Sequence, residues 1–210
     1  LRNKEIARAI AHLSKDKKLA PYIKDKMLKF DKPSYDVYEG LLSSIVSQQL
    51  SVKAAATIYS RFLELFDDGY PDPSILLKLE TPILRSAGLS NQKSGYVKNV
   101  ATYFTEHNIF DETWTSQSDN QIIKQLTEIK GVGRWTVEMI LMFTLGRLDV
   151  MPLGDLGIQQ AMADIYNLTS TKKDLQKEML ELSLQWSPYR TVACRYLWSY
   201  KDEPSSEGSL

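Results

Sequence analysis

The chain has 210 residues, 43% of them hydrophobic and 25% charged, and its 26 basic side chains balance 26 acidic ones. That length accommodates one or two domains with a well-buried core, and the composition is that of an ordinary globular protein. Equal charges argue against a protein that coats nucleic acid with its whole surface, although a local basic footprint stays open. No apolar run approaches the roughly 18 residues of a membrane span, and residues 1–5 lack the apolar core of a signal peptide, so an intracellular protein with no membrane partner is expected.

In chain order, the sequence reads as one helix after another. The stretch Asp67-Asp68-Gly69-Tyr70-Pro71-Asp72-Pro73 is expected to be a surface loop. Thr81-Pro82 opens a short helix, with Thr81 as N-cap and proline at the first helical position, and Gly88 closes it. Ser90-Asn91 starts a longer helix through His107, and residues 119–126 form another. An amphipathic run ends at Ile129, Gly131-Val132-Gly133 makes a turn, and residues 134–145 resume apolar helical spacing at Val137, Ile140, Leu141, Thr144 and Leu145. A Pro- and Gly-containing loop, Met151-Pro152-Leu153-Gly154, then leads to Asp155 and a helix over 156–166. Residues 171–186 are amphipathic, Pro188 breaks the pattern, and a last helix runs to about Tyr200. Residues 205–210 have the composition of a disordered tail. Alternation of apolar and polar residues is never sustained and no repeat is visible, so the fold class is all-α.

The chemistry concentrates at 126–155. Glycines at 131 and 133 permit a sharp turn, so that backbone N–H groups at the start of the second helix can point together at an anion. A turn of this kind grips a nucleic-acid phosphate without reading sequence. Alone, it is also an ordinary way to pack two helices. Asp155 lies 22 residues beyond Gly133. The two histidines, His12 and His107, stand apart with no partner motif for zinc, and no Gly-rich Lys-Ser/Thr loop exists for nucleotide phosphates. The single Cys194 rules out an internal disulfide and reads as a small buried side chain.

Helix, Gly-Val-Gly turn, helix, Gly/Pro loop and Asp together resemble the helix-hairpin-helix DNA glycosylase superfamily. The run Gly131-Val132-Gly133-Arg134-Trp135-Thr136 is most similar to its 3-methyladenine DNA glycosylase II (alkylbase glycosylase) branch. Three further stretches are similar to that branch. Ser44-Ile45-Val46-Ser47-Gln48-Gln49-Leu50-Ser51-Val52-Lys53-Ala54-Ala55 resembles the turn that pushes a side chain into the duplex. Residues 87–97 resemble a second helical hairpin. Residues 186–198 resemble the C-terminal helix, whose tryptophan, here Trp198, faces the catalytic carboxylate. The resemblance covers roughly residues 34–200.

What this implies is a two-lobed fold with the active site in the cleft between the lobes. One lobe would span 34–115, and the other would combine 1–33 with 116–204, carrying both the hairpin and Asp155. Gly131, Gly133, Arg134, Thr136, Gln48, Gln49, Leu50 and Lys53 would meet DNA, with Arg85, Lys93, Lys98, Lys130 and Arg147 nearby as a basic footprint. Trp135 and Trp198 would receive an extruded base. Bifunctional relatives carry a Schiff-base lysine where this chain has Trp135, so the resemblance implies hydrolysis that leaves an abasic site. Asp155, a natural N-cap for the helix after it, would oppose the charge on the sugar. Asp149 is the competing carboxylate. The branch needs no cofactor for catalysis, and one cysteine cannot hold the four-cysteine iron–sulfur cluster of another branch. Relatives hold Na+ or K+ at the hairpin, which here would fall to the carbonyls of Thr127, Ile129 and Val132. The expected partner is double-stranded DNA containing alkylated bases, bound by a monomer in the cytoplasm and nucleoid or in the nucleus. Two alternatives stay open: a non-catalytic protein that binds lesions, and a glycosylase for deaminated or mismatched bases.

Overall fold

The structure is a computed structural model that describes residues 2–24, 26–109 and 114–201. The expected tail at 205–210 lies outside them. The described residues form twelve α-helices, a π-helical turn and a 3-10 turn, with no strand. The all-α expectation is met. The chain divides into two compact units, one built from residues 33–146 and the other from residues 1–32 with 147–210.

The 33–146 unit contains α3 (Val37–Ser47), α4 (Val52–Leu63), α5 (Pro73–Lys78), α6 (Thr81–Ser86), α7 (Asn91–His107), α8 (Asp119–Leu126) and α9 (Arg134–Met139), and α9 runs on into a π-turn at Ile140–Thr144. Its core closes over fully buried Leu41, Leu42, Ile45, Phe62, Val97 and Leu141. Each such side chain stabilises the fold by ~1.5–3 kcal/mol. Most helix starts follow local chemistry. The side chains of Asp36, Ser51, Asp72, Ser90 and Ser118 each accept a backbone N–H of the first turn they precede, a cap worth ~0.5–2 kcal/mol.

Three expectations change. The short helix after Glu80 has Glu80 and not Thr81 at its N-cap position, without a side-chain cap bond, because Thr81 already has helical backbone and Glu80 is extended. The helix expected over 134–145 is α-helical only to Met139. Beyond it, Leu145 N–H bonds to Ile140 O at 2.9 Å, one residue further back than an α-helix would reach. The third change is larger. The hairpin belongs with residues 33–115 and not with Asp155. Within this unit α3 passes so close to the π-turn that a Cβ on Gly40 would sit 2.7 Å from Thr144 Oγ1 and 3.1 Å from Ile140 Cδ1. Only glycine allows that approach.

The other unit contains α1 (Arg2–Leu13), α2 (Ala20–Lys24), α10 (Leu156–Tyr166), α11 (Lys172–Ser183) with the 3-10 turn Leu184–Trp186, and α12 (Arg190–Lys201). α10 packs along α12, and α1 and α2 also lie against α12. Asp16 ties the α1–α2 loop to the rest. Its carboxylate accepts from the Tyr166 hydroxyl, from Trp186 Nε1 at 2.9 Å and from the backbone N–H groups of Lys18 and Leu19.

Candidate active site and nucleic-acid interface

In the 33–146 unit, the hairpin between α8 and α9 is shaped by Gly131. Its φ of +105° lies in the left-handed region that side chains avoid, and a Cβ there would fall 2.2 Å from Tyr96 Cγ of α7. Both constraints demand glycine. Gly133 differs: its φ is −93°, and a Cβ would meet nothing within 4 Å. The turn therefore does not require glycine at 133, and that residue keeps the approach to α9 open. Gly133 is the N-cap of α9 and offers no side-chain cap to its first N–H groups, which leaves a surface suited to an anion. Asn99 Nδ2 donates to Lys130 O at 3.0 Å and Tyr103 OH to Gln125 O at 3.3 Å, so α7 supports the hairpin from behind.

Of the hairpin residues expected at DNA, Arg134 has its side chain 66% exposed and paired through Nε with Glu138 at 2.9 Å. Thr136 is buried at 4%, so its side chain is not presented at the surface. The carbonyls of Thr127, Ile129 and Val132 are backbone oxygens, the hard donors an alkali cation takes. Ile129 O already accepts from Val132 N–H at 3.0 Å, which occupies one of its two lone pairs.

The turn after α3 presents a different surface. Gln48 is its C-cap, Gln49 takes φ +57° and is exposed, and Leu50 is 37% exposed. Lys53 is exposed on the first turn of α4. Lys93 does not project as a footprint residue. Its Nζ donates to Val46 O and Gln48 O, each at 2.7 Å, and clamps the end of α3. Burial there lowers the Lys93 pKa. Lys98 likewise reaches Leu77 O, at 3.4 Å. Between this turn and α9 lies a cavity of about 530 Å³, lined by Ser43, Ser44, Ser47, Gln48, Gln49, Leu50, Trp135 and Met139. Trp135 is 45% exposed at its edge. Met139 was not anticipated, yet it stands four residues after Trp135 on the same helical face, and that spacing was available to find it.

In the other unit, Asp155 is 9% exposed and caps α10. Its Oδ1 accepts from Ile158 N–H at 2.9 Å and from Trp198 Nε1 at 2.9 Å. The sequence places these two side chains 43 residues apart, and the packing of α12 on α10 brings them together. Trp198 thus meets the carboxylate with its N–H and not only with a ring face. Asp149, the competing carboxylate, is committed elsewhere. It takes a two-pronged ion pair from Arg190, with Nε at 2.7 Å and Nη2 at 2.9 Å, and a hydrogen bond from Ser187. Burial works to raise its pKa, but the bonds from Arg190 and Ser187 prevail and hold it below the ordinary value. Cys194 is buried, with its thiol 3.9 Å from Val150 O. No cluster of three or more His, Cys, Asp or Glu that could hold a metal occurs among the described residues.

With this geometry in place, comparison with known proteins is informative. The model of the HhH-GPD superfamily of base excision DNA repair proteins matches residues 42–185. DNA-3-methyladenine glycosylase 1 of Schizosaccharomyces pombe is 37% identical over 163 residues, covering 77% of this chain and 71% of that protein. A putative DNA-3-methyladenine glycosylase of Bacillus subtilis, YfjP, is 34% identical over 170 residues; the match takes in 78% of this chain but only 58% of the relative's length. Among solved structures, the S. pombe 3-methyladenine DNA glycosylase in complex with abasic DNA superposes with a TM-score of 0.81 at 33% identity, over 93% of this chain and 97% of that one. The matched segment contains the hairpin, the turn after α3 and Asp155, and with it the chain belongs to the HhH-GPD superfamily of base excision DNA repair proteins.

Proposed function

We propose that the chain is a monofunctional DNA-3-methyladenine glycosylase, which extrudes an alkylated purine from double-stranded DNA and hydrolyses its N-glycosidic bond. The observation that carries this is Asp155, a nearly buried carboxylate fixed by two N–H donors from different elements in a chain of the base excision family. The names of the S. pombe and B. subtilis relatives support the alkylated base as substrate.

In this reading the hairpin grips a phosphate, with Arg134 and Lys53 adding charge, and Gln49 or Leu50 fills the space the extruded nucleotide leaves. Trp135 receives the base. A purine alkylated at N3 or N7 is cationic, and an indole face attracts it by ~0.5–2 kcal/mol. Such a base leaves without being protonated. The C1′–N bond breaks with its electron pair going to the base, which becomes neutral, and water adds to C1′ and releases a proton. Asp155 opposes the positive charge that develops on the sugar, and a preorganised group of this kind contributes roughly 3 kcal/mol or more to lowering the barrier. No cofactor enters these steps. A Na+ or K+ held by the carbonyls of Thr127, Ile129 and Val132 would steady the hairpin and take no part in the chemistry. The protein acts as a monomer wherever the cell keeps its DNA, in the nucleoid or the nucleus.

Position 135 carries an indole and no amine, which supports hydrolysis over Schiff-base chemistry. The test is to incubate the protein with alkylated duplex, identify the free bases by chromatography, and add borohydride in parallel. Free alkylpurine, an intact strand and no protein trapped on DNA are expected. Efficient trapping would refute monofunctional hydrolysis. Release of deaminated bases alone would transfer the assignment to that substrate, and no release from any damaged duplex would favour a non-catalytic lesion binder.

A further inference from the structure

We infer that Gly157 is a positioning residue for base release, because its missing side chain is what lets the Trp198 indole close on Asp155. The inference rests on the assignment of Asp155 as the group that opposes charge on the sugar. Gly157 is the second residue of α10. Its backbone does not lie in the left-handed region, and alanine would be the better helix former there, so neither turn geometry nor helix stability accounts for a glycine. The surroundings do. A Cβ at 157 would lie 3.2 Å from Trp198 Cδ1, 3.5 Å from Trp198 Nε1 and 3.3 Å from Asp155 Oδ1. It would press on both partners of one hydrogen bond at once. By contrast, a Cβ at nearby Gly154 would meet open space.

The two partners do not yield equally. Asp155 Oδ1 is also held by Ile158 N–H of the helix it caps, whereas Trp198 is only half-buried at the far end of α12. The indole therefore gives way by a few tenths of an ångström, and the 2.9 Å Trp198–Asp155 bond lengthens. The carboxylate keeps its charge and its cap, but the Trp198 bond that helps to fix its rotation is weakened. Its second oxygen is no longer aimed, and misplacement of a reacting group by about 1 Å costs on the order of 100-fold in rate.

The experiment is a double-mutant cycle of Gly157→Ala with Trp198→Ala, read by single-turnover excision, by binding to undamaged duplex and by thermal melting. In the wild-type background Gly157→Ala should slow excision by about tenfold, on that positional scale. Duplex affinity should be unchanged and the melting temperature no lower. In the Trp198→Ala background, where no indole remains to be displaced, Gly157→Ala should have little further effect. An unchanged rate in Gly157→Ala overturns the inference. So does an equal loss in both backgrounds, which would mean that the methyl group acts without the indole, or a loss that tracks a lower melting temperature. Failure of the underlying assignment shows separately, as an Asp155→Asn protein that excises like the wild type.

Discussion

Asp155 Oδ1 accepts both the N–H that starts α10 and the indole N–H of Trp198, so one oxygen is fixed by its own helix and by α12. Its capping role was legible, because an Asp after a Gly/Pro loop and before an apolar helical run is a strong N-cap pattern. The bond to Trp198 was not. Spacing along a chain gives which helix a tryptophan occupies, but the direction of its N–H follows only from how that helix packs. Trp198→Phe separates the two roles, since it keeps an aromatic face and removes the donor. Excision should fall by roughly 10–150-fold, the worth of one hydrogen bond to a charged group at ~1.5–3 kcal/mol, and affinity for undamaged duplex should stay as it was. An unchanged rate in Trp198→Phe would leave stacking as the whole contribution of this residue. Gly157 escaped notice for a related reason: a glycine in the first turn of a helix carries no signal until its neighbour in space is known.

At the scale of elements, α7 braces both turns assigned to DNA. Tyr96 packs under Gly131, Asn99 holds Lys130 O, and Lys93 holds the carbonyls of Val46 and Gln48. Helix bounds such as Asn91–His107 and Asp119–Leu126 were readable because Ser90 and Ser118 cap them. The π-turn at Ile140–Thr144 was not, since apolar spacing continues through it and the shift in hydrogen bonding arises where α3 crosses at Gly40. Lys93 read as a basic footprint residue, and its bonds to the carbonyls of Val46 and Gln48 were not legible, because a lysine that meets phosphate and one that meets backbone carbonyls look the same. The two roles differ in salt dependence. If Lys93 clamps the turn, Lys93→Met lowers single-turnover excision several-fold while the slope of log affinity against log salt is unchanged. A slope smaller by about 1 would mean that Lys93 contacts a phosphate instead.

Across the whole molecule, the expected division ends the first lobe at 115, whereas the compact unit runs on to residue 146 and takes in the hairpin. Lys53 and Arg134 are exposed, and under the proposed function DNA affinity falls to a few such residues because the overall charge is balanced. Stability in acid should depend on Asp16 and Asp149. At Asp16, burial works to raise the pKa, but the bonds from Tyr166, Trp186 and the Lys18 and Leu19 N–H groups outweigh it and leave it below the ordinary 3.8. A carboxylate held more acidic in the folded chain contributes stability that is present above its unfolded pKa and is lost as pH falls through the folded value. Asp16→Asn should therefore lower stability at neutral pH and flatten its decline below about pH 4. Parallel acid limbs in the two proteins would show that Asp16 is not a source of that decline.

The central claim, that this chain releases alkylated bases through the Asp155 carboxylate, is tested most directly by single-turnover release of 3-methyladenine from duplex DNA by the wild type and by Asp155→Asn, with duplex binding measured on the same preparations. Asparagine can still accept the Ile158 and Trp198 N–H groups, so the fold and the phosphate contacts persist while the charge is gone. The account predicts release by the wild type, a loss of roughly 100-fold or more in Asp155→Asn, and equal affinity for the duplex. Release at the wild-type rate by Asp155→Asn would contradict it.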